Sequence, residues 1–272
     1  MLDIFTIVWG QMTDVFLELA LPSLMQPGNI PAAKELIHNY NFYVSEEAKE
    51  KISDSKLYNK LIKEIEVNWF PLQKGEWELT SNMLYQMNLS AKEKHHMMIV
   101  APDHALGNNS ILNIAELTEK KYNPILYVNP RVCEEGYKII KDLLKSGDVI
   151  SNRRLVSIAM EYIEQAPYPI ETTKSNLWKV RHNVPTPCLL PDEKMISIFT
   201  TNPTKYGGFD HMLPYWMIEL GYPWYLIRNS DTFFFVERGE HFVMETTIPW
   251  NIRKQMAALE FFGKQEVIWR SD

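Results

Sequence analysis

Cysteine is scarce: the 272 residues contain only Cys133 and Cys188. Two thiols are too few for a disulfide scaffold or a thiolate zinc site, and they fit a reducing, cytoplasmic setting. Glycine is also sparse, 11 residues against 16 prolines, a balance that favours fixed, extended loops over flexible linkers. No apolar run approaches the roughly 18 residues needed to span a bilayer; the stretch from Val15 to Met25 is interrupted by Glu18 and Pro22. The N-terminus has Asp3 where a secretory signal would have Lys or Arg. Positive charge is not in excess. Lys plus Arg total 28 against 34 for Asp plus Glu, a formal net charge of −6, which argues against a global electrostatic grip on nucleic acid but leaves room for a local basic groove. No Walker loop, GxGxxG, GxSxG or HExxH occurs, which argues against a P-loop ATPase, a Rossmann dehydrogenase, an α/β-hydrolase and a zincin.

What is present reads as a globular chain, with 46% hydrophobic and 23% charged residues. The first 130 residues alternate strand and helix. Ile4 to Trp9 is a β-branched apolar run stopped by Gly10, the pattern of a buried parallel strand. Thr13 to Leu24 carries a helical apolar stripe, followed by a turn at Gln26-Pro-Gly-Asn29. Strands are expected at 41–44, 65–72, 96–101 and 124–128, with helices at 46–61 and 77–94 between them. This βαβαβ rhythm predicts an α/β fold with a mostly parallel sheet flanked by helices. Residues 1–130 and 131–272 would form the two halves of a single domain. In the second half, helices are expected at 136–145, 152–165 and 213–220 and a strand at 231–236. The segment from Pro167 to Pro191 carries five prolines and reads as irregular chain laid across the surface.

Asp103, in Ile99-Val-Ala-Pro-Asp-His-Ala-Leu-Gly107, follows the C-terminal end of a buried strand, where open α/β sheets bind ligands. It could ligate a divalent cation holding a diphosphate, with His104 as second ligand, or simply form an Asx-turn or helix cap. In Tyr206-Gly-Gly-Phe-Asp-His211, Gly207 and Gly208 let backbone pass close to a ligand. Asp210 could accept a proton from an attacking hydroxyl or cap the helix that follows. Trp9 and Gly10 could line a nucleobase pocket or fill the core. His241 is a further candidate metal or phosphate ligand. His95-His96 reads as structural, and Arg153-Arg154 as a solvated face.

Together these pieces resemble a GT-A-fold glycosyltransferase. Thr6-Ile-Val-Trp-Gly10, Phe16-Leu-Glu-Leu-Ala-Leu-Pro-Ser-Leu24 and Pro27-Gly-Asn-Ile-Pro31 are similar to the "WG…FL…LPSLL.PGN.PA" opening of a group of bacterial and phage GT-A-like proteins. Ser151 to Met160 resembles a helix of the same group. Asp103 is similar in position to the DxD motif, and Gly207-Gly-Phe-Asp210 to the GGFDE element of family 2 inverting transferases. Ala105 stands in place of the second DxD Asp, and His211 in place of the Glu.

The resemblance implies transfer of a sugar from a nucleotide-sugar donor, a UDP-sugar foremost, to an acceptor hydroxyl with inversion. Asp210 would be the base, and Mn²⁺ or Mg²⁺ would sit on Asp103 with His104 or His241. The donor would lie on Trp9, Gly10, Gly207 and Gly208. The acceptor would be a glycan or a hydroxymethylated DNA base; the latter would need a groove built from Arg153, Arg154, Lys174, Lys179 and Arg181. A non-catalytic nucleotide-sugar or glycan-binding protein, and a structural subunit of a capsule or envelope assembly, are the rival expectations.

Overall fold

The computed structural model describes residues 1–72, 78–163, 170–174, 176–181, 186–201, 212–239, 258 and 260–272. The run Leu2–Val8 forms β1, and all seven of its residues are buried. A strand with no solvent face needs apolar residues on both sides, which is why its hydrophobicity does not alternate. β1 pairs in parallel with β2 (Ile37–Val44) on one side and β4 (His96–Ile99) on the other. β3 (Glu66–Pro71) adds in parallel beyond β2. Two short strands come between β4 and the second half of the sheet: β5 (His104–Leu106) belongs to a small second sheet, and β6 (Ile125–Tyr127) returns to the main one.

The remaining strands are β7 (Arg131–Val132), β8 (Ile170–Lys174), β9 (Leu177–Arg181), β10 (Thr186–Leu189), β11 (Tyr225–Leu226), β12 (Phe235–Arg238) and β13 (Glu266–Arg270). The main sheet has seven strands in the order β11-β6-β10-β4-β1-β2-β3, and only β10 runs against its neighbours. Two three-stranded sheets, β5-β12-β7 and β13-β9-β8, complete the strand set. The fold is therefore mixed α/β, with a mostly parallel central sheet flanked by helices.

β10 corrects the expectation of an irregular surface segment between Pro167 and Pro191. Pro187 lacks an N–H, yet it sits within the sheet because it pairs only with Leu126 of β6; pairing with β4 starts at Cys188. Prolines masked a short, buried strand that the sheet's interior holds in place. The helix expected over 46–61 is two, Glu46–Ser53 and Tyr58–Glu64. The expected strand at 231–236 begins later, at Phe235. The helical run from Met12 to Leu24 contains a π turn at Phe16–Ala20, in which the Leu21 N–H reaches back to the Phe16 carbonyl. Pro22, one residue on, has no N–H to give the regular ladder.

Two apolar layers sandwich the sheet. Alternate residues of β1 divide between them: Ile4 and Val8 pack with Phe16, Ala20, Tyr40, Phe42 and Ile111, whereas Phe5 and Ile7 pack with Tyr43, Met83, Met87 and Phe199. Aromatic rings weld the first face, with Tyr40 on Phe42 at 4.4 Å and Phe42 on Trp69 at 4.7 Å between centroids. A third apolar cluster lies beneath the helices Glu134–Ser146 and Asn152–Glu161. The first of these follows helix-end rules closely: Glu134 and Glu135 open it, Lys145 closes it, and Gly147 at φ +86° ends it in the left-handed conformation.

Candidate functional site

The strand order fixes where a ligand crevice belongs. From β1 the chain moves outward to β2 and β3, then returns to lay β4 on the other side of β1. The loops leaving β1 and β4 thus diverge at the sheet's C-terminal edge, the position at which open α/β sheets bind ligands. One buried cluster pins the two strands there. Thr6 Oγ1 donates to the Val100 carbonyl at 2.8 Å and lies 2.6 Å from the Tyr40 hydroxyl. Since the threonine proton goes to Val100, the tyrosine donates to Thr6. Burial pushes the Tyr40 phenol far above its ordinary value, with Thr6 opposing the shift, so it stays protonated.

Trp9 and Gly10 leave β1 at this edge. Trp9 is 50% exposed, which places the indole at the surface rather than in the core. Gly10 has φ +53°, and a Cβ there would meet nothing within 4 Å, so backbone conformation rather than crowding calls for glycine. The turn is closed by the Met12 and Thr13 N–H groups, which donate to Trp9 and Gly10 carbonyls at 3.1 Å.

Asp103 leaves β4 at the same edge, in a turn closed by the His104 N–H on the Ala101 carbonyl at 3.1 Å. It does not cap a helix: the next one, Ser110–Thr118, has Asn109 at its N-cap. Burial pushes the Asp103 carboxyl above its ordinary range, while His104 opposes the shift and the Glu237 charge reinforces it. Its neighbours are saturated. His104 Nδ1 accepts from the Ala101 N–H at 3.2 Å, and Nε2 faces Glu237 Oε1 at 3.5 Å. Arg131 Nε donates to Glu237 Oε2 at 3.0 Å. Burial alone would raise the Glu237 carboxyl, but His104 and Arg131 together hold it down to about 2. With both ring nitrogens engaged, His104 acts here as an orienting partner of Glu237.

The structure therefore brings Trp9, Gly10, Asp103 and His104 to one edge. Gly207, Gly208, Asp210, His211 and His241 lie outside the described residues. Glu237 and Arg131 join the site although no sequence motif marks them; β12 carries Glu237 to β5 by pairing it directly with His104. Two basic residues of the groove required for DNA, Arg153 and Lys179, are paired with acids. Arg153 makes a two-pronged contact with Asp231 at 2.9 and 3.1 Å, and Lys179 pairs with Glu266 at 3.3 Å. A separate surface groove of about 630 Å³, lined by Leu17, Glu18, Met25, Lys60, Lys141 and Val149 among others, contains none of the candidate residues.

No known family matches the chain, and no curated protein matches it. Solved structures do. A Bacillus anthracis protein assigned as a glucose-1-phosphate thymidylyltransferase, solved with a sucrose, is 11% identical, with 97% of this chain and 96% of that one covered at a TM-score of 0.47. An apo UDP-glucose pyrophosphorylase is 7% identical, covering 96% and 98% at 0.42. The inositol-1-phosphate CTP transferase of T. maritima is 11% identical, covering 95% and 96% at 0.41. These names correct the expectation of a glycosyltransferase: they describe enzymes that handle nucleotidyl groups, not sugar transfer to a glycan or a DNA base. Likeness at this level assigns no activity to this chain. Among the described residues, no helix is long and apolar enough to cross a membrane.

Proposed function

We propose that this chain is a nucleotide-dependent transferase acting at the phosphates of a nucleoside phosphate, with a nucleotidyl group as the group moved. One observation carries the reading: the switch point of the sheet sets a half-exposed indole and the Asp103 carboxyl on adjacent loops. Trp9 offers its face to the base, and the Gly10 turn lets backbone lie close to the sugar and phosphates. Asp103 is the available carboxylate. Ala105 supplies no ligand, and the His104 nitrogens are taken.

That donor set suits Mg²⁺ or Mn²⁺, which take one or two carboxylates and complete their shell with water and substrate phosphates. Such a cation would neutralise charge developing on the leaving phosphate oxygens. The rest falls to the chain itself. His104 and Arg131 keep Glu237 ionised, and Glu237 in turn fixes His104 at the base of the Asp103 turn. Thr6 and Tyr40 lock the strands that aim the two loops.

Thermal-shift measurements with CTP, UTP, dTTP, ATP, GTP and UDP-glucose, each with and without Mg²⁺ or Mn²⁺, test this reading. At 100 times its Kd, one nucleotide should stabilise the fold by about 2.7 kcal/mol. Asp103→Asn should lose the metal-dependent part of that shift, and Trp9→Ala should weaken binding with or without metal. Pyrophosphate release from the bound triphosphate on adding a sugar 1-phosphate would identify the transferred group. No shift with any nucleotide, or an unaltered shift in Asp103→Asn, overturns the proposal.

A further inference from the structure

At the opposite, N-terminal edge of the sheet, Asp3 of β1, His38 of β2 and His95, which precedes β4, converge. His38 Nδ1 lies 3.1 Å and His95 Nδ1 3.3 Å from the same oxygen, Asp3 Oδ1. All three donor atoms fall within 4.8 Å of one another. Around a tetrahedral ion with bonds of about 2.0–2.1 Å, donors sit about 3.3 Å apart, so two of the edges are already at ligand spacing. The register of β1 against β2 shifts between Leu2↔Ile37 and Asp3↔Asn39, which leaves His38 as the extra residue of a bulge. Bulges commonly re-aim one side chain, and this one sends His38 onto Asp3.

The surroundings prepare Asp3 as a ligand. Its other oxygen, Oδ2, accepts from Ser90 Oγ at 2.6 Å. Ser90 in turn accepts from Gln86 Nε2 at 2.9 Å, and Gln86 Oε1 accepts from Asn41 and Tyr43. A buried relay thus holds one carboxylate oxygen and leaves the other to the histidines, as supporting shells do at metal sites. The Asp3 side chain is 3% exposed, that of His95 14% and that of His38 36%, so an ion could enter past His38. An independent sign lies alongside: Asn39 Oδ1 is buried without a hydrogen-bond partner, while its Nδ2 sits 2.9 Å from His38 Nδ1. Turning that amide over brings the orphaned oxygen into the ring of donors as a fourth ligand.

We propose that Asp3, His38 and His95, completed by Asn39 Oδ1, bind a divalent transition ion of the zinc class that staples β2, β1 and β4 at the edge away from the nucleotide crevice. Two imidazoles and a carboxylate oxygen suit Zn²⁺ better than Mg²⁺ or Ca²⁺, which prefer all-oxygen shells. The site does not depend on the nucleotide reading, and Zn²⁺ and Co²⁺ are measured without nucleotide.

Tag-free full-length protein, stripped with chelator, is titrated calorimetrically with Zn²⁺ and spectroscopically with Co²⁺. One equivalent of each should bind, with Co²⁺ giving the visible bands of tetrahedral coordination and Zn²⁺ raising the melting temperature. His38→Gln, at the exposed corner and so able to fold, should weaken Zn²⁺ at least tenfold and abolish the Co²⁺ bands; Asp103→Asn should leave both unchanged. Absence of one-equivalent binding in the parent protein overturns the proposal, and the cluster is then a hydrogen-bonded pin with the Asn39 oxygen accepting from His38. Unchanged Zn²⁺ affinity in His38→Gln, or loss of binding in Asp103→Asn, also overturns it by placing the ion elsewhere.

Discussion

At the scale of single residues, the candidate site rests on buried side chains that hold its strands together. Thr6 is the clearest case, because one hydroxyl serves both Val100 and Tyr40 across three neighbouring strands. Thr6→Val keeps the shape but strands a buried phenol and a buried carbonyl. Leaving buried polar groups unpaired costs about 1–3 kcal/mol. We expect Thr6→Val to lower stability by about 2 kcal/mol in urea unfolding at unchanged m-value. Adding Tyr40→Phe should recover part of that loss, since the phenol then has no hydrogen bond to miss. A double variant less stable than Thr6→Val would show that the Tyr40 hydroxyl contributes through something other than its bond to Thr6. None of this was legible in Thr6-Ile-Val-Trp-Gly10, where a threonine inside an apolar run looks merely β-branched. Glu237 was equally silent, since its meaning comes from a partner strand 133 positions away in the chain.

At the scale of elements, the sequence was most legible where burial alone dictates the residue pattern. β1, β3 and β4 and the helices Glu78–Glu93 and Met212–Glu219 stand within a few residues of where periodicity put them. It was least legible where tertiary contacts override local signals, as with β10 among its prolines. The segment that carried the family resemblance proves to be a structural buckle. Ser23 Oγ accepts from the Leu106 N–H at 3.1 Å. Gln26 donates to the Leu106 carbonyl at 2.9 Å and accepts from the Ile150 N–H at 2.6 Å. Asn29 donates to the Ser23 and Gly107 carbonyls and accepts from the Ile111 N–H at 3.0 Å.

Four separate parts of the chain are thus tied by three side chains, and the tightness extends to glycine. A Cβ on Gly107 would lie 2.8 Å from the Asn152 Cα, a backbone atom that cannot swing away. The recognisable pattern therefore reports a fold requirement and says little about chemistry. Gln26→Leu should cost roughly 3 kcal/mol, because it leaves a buried N–H and a buried carbonyl unpaired at once. Chemical denaturation would read that loss directly. A loss below about 1 kcal/mol would mean that water takes over the role of the amide.

At the scale of the whole molecule, pH offers a way to see the C-terminal edge of the sheet in isolation. The C-terminal edge is held by an ionised Glu237 between His104 and Arg131. Its carboxyl sits at about 2, below the ordinary value of 4.5. A group with a depressed folded-state value binds protons more readily when unfolded. Its stabilisation is therefore complete above about pH 5 and is lost as pH falls toward 2. The size of the shift corresponds to about 3 kcal/mol at neutral pH. Glu237→Gln should remove most of that at pH 7 and progressively less toward pH 2, so the two unfolding curves converge on acidification. An offset constant across that range would mean that Glu237 contributes by packing, and the charge argument for the Asp103 turn would fall with it. If the curves do converge, the edge that positions Asp103 is held by charge. Nucleotide affinity in Glu237→Gln should then fall at pH 7 without any contact to the ligand being lost, because the turn rather than the carboxylate has loosened.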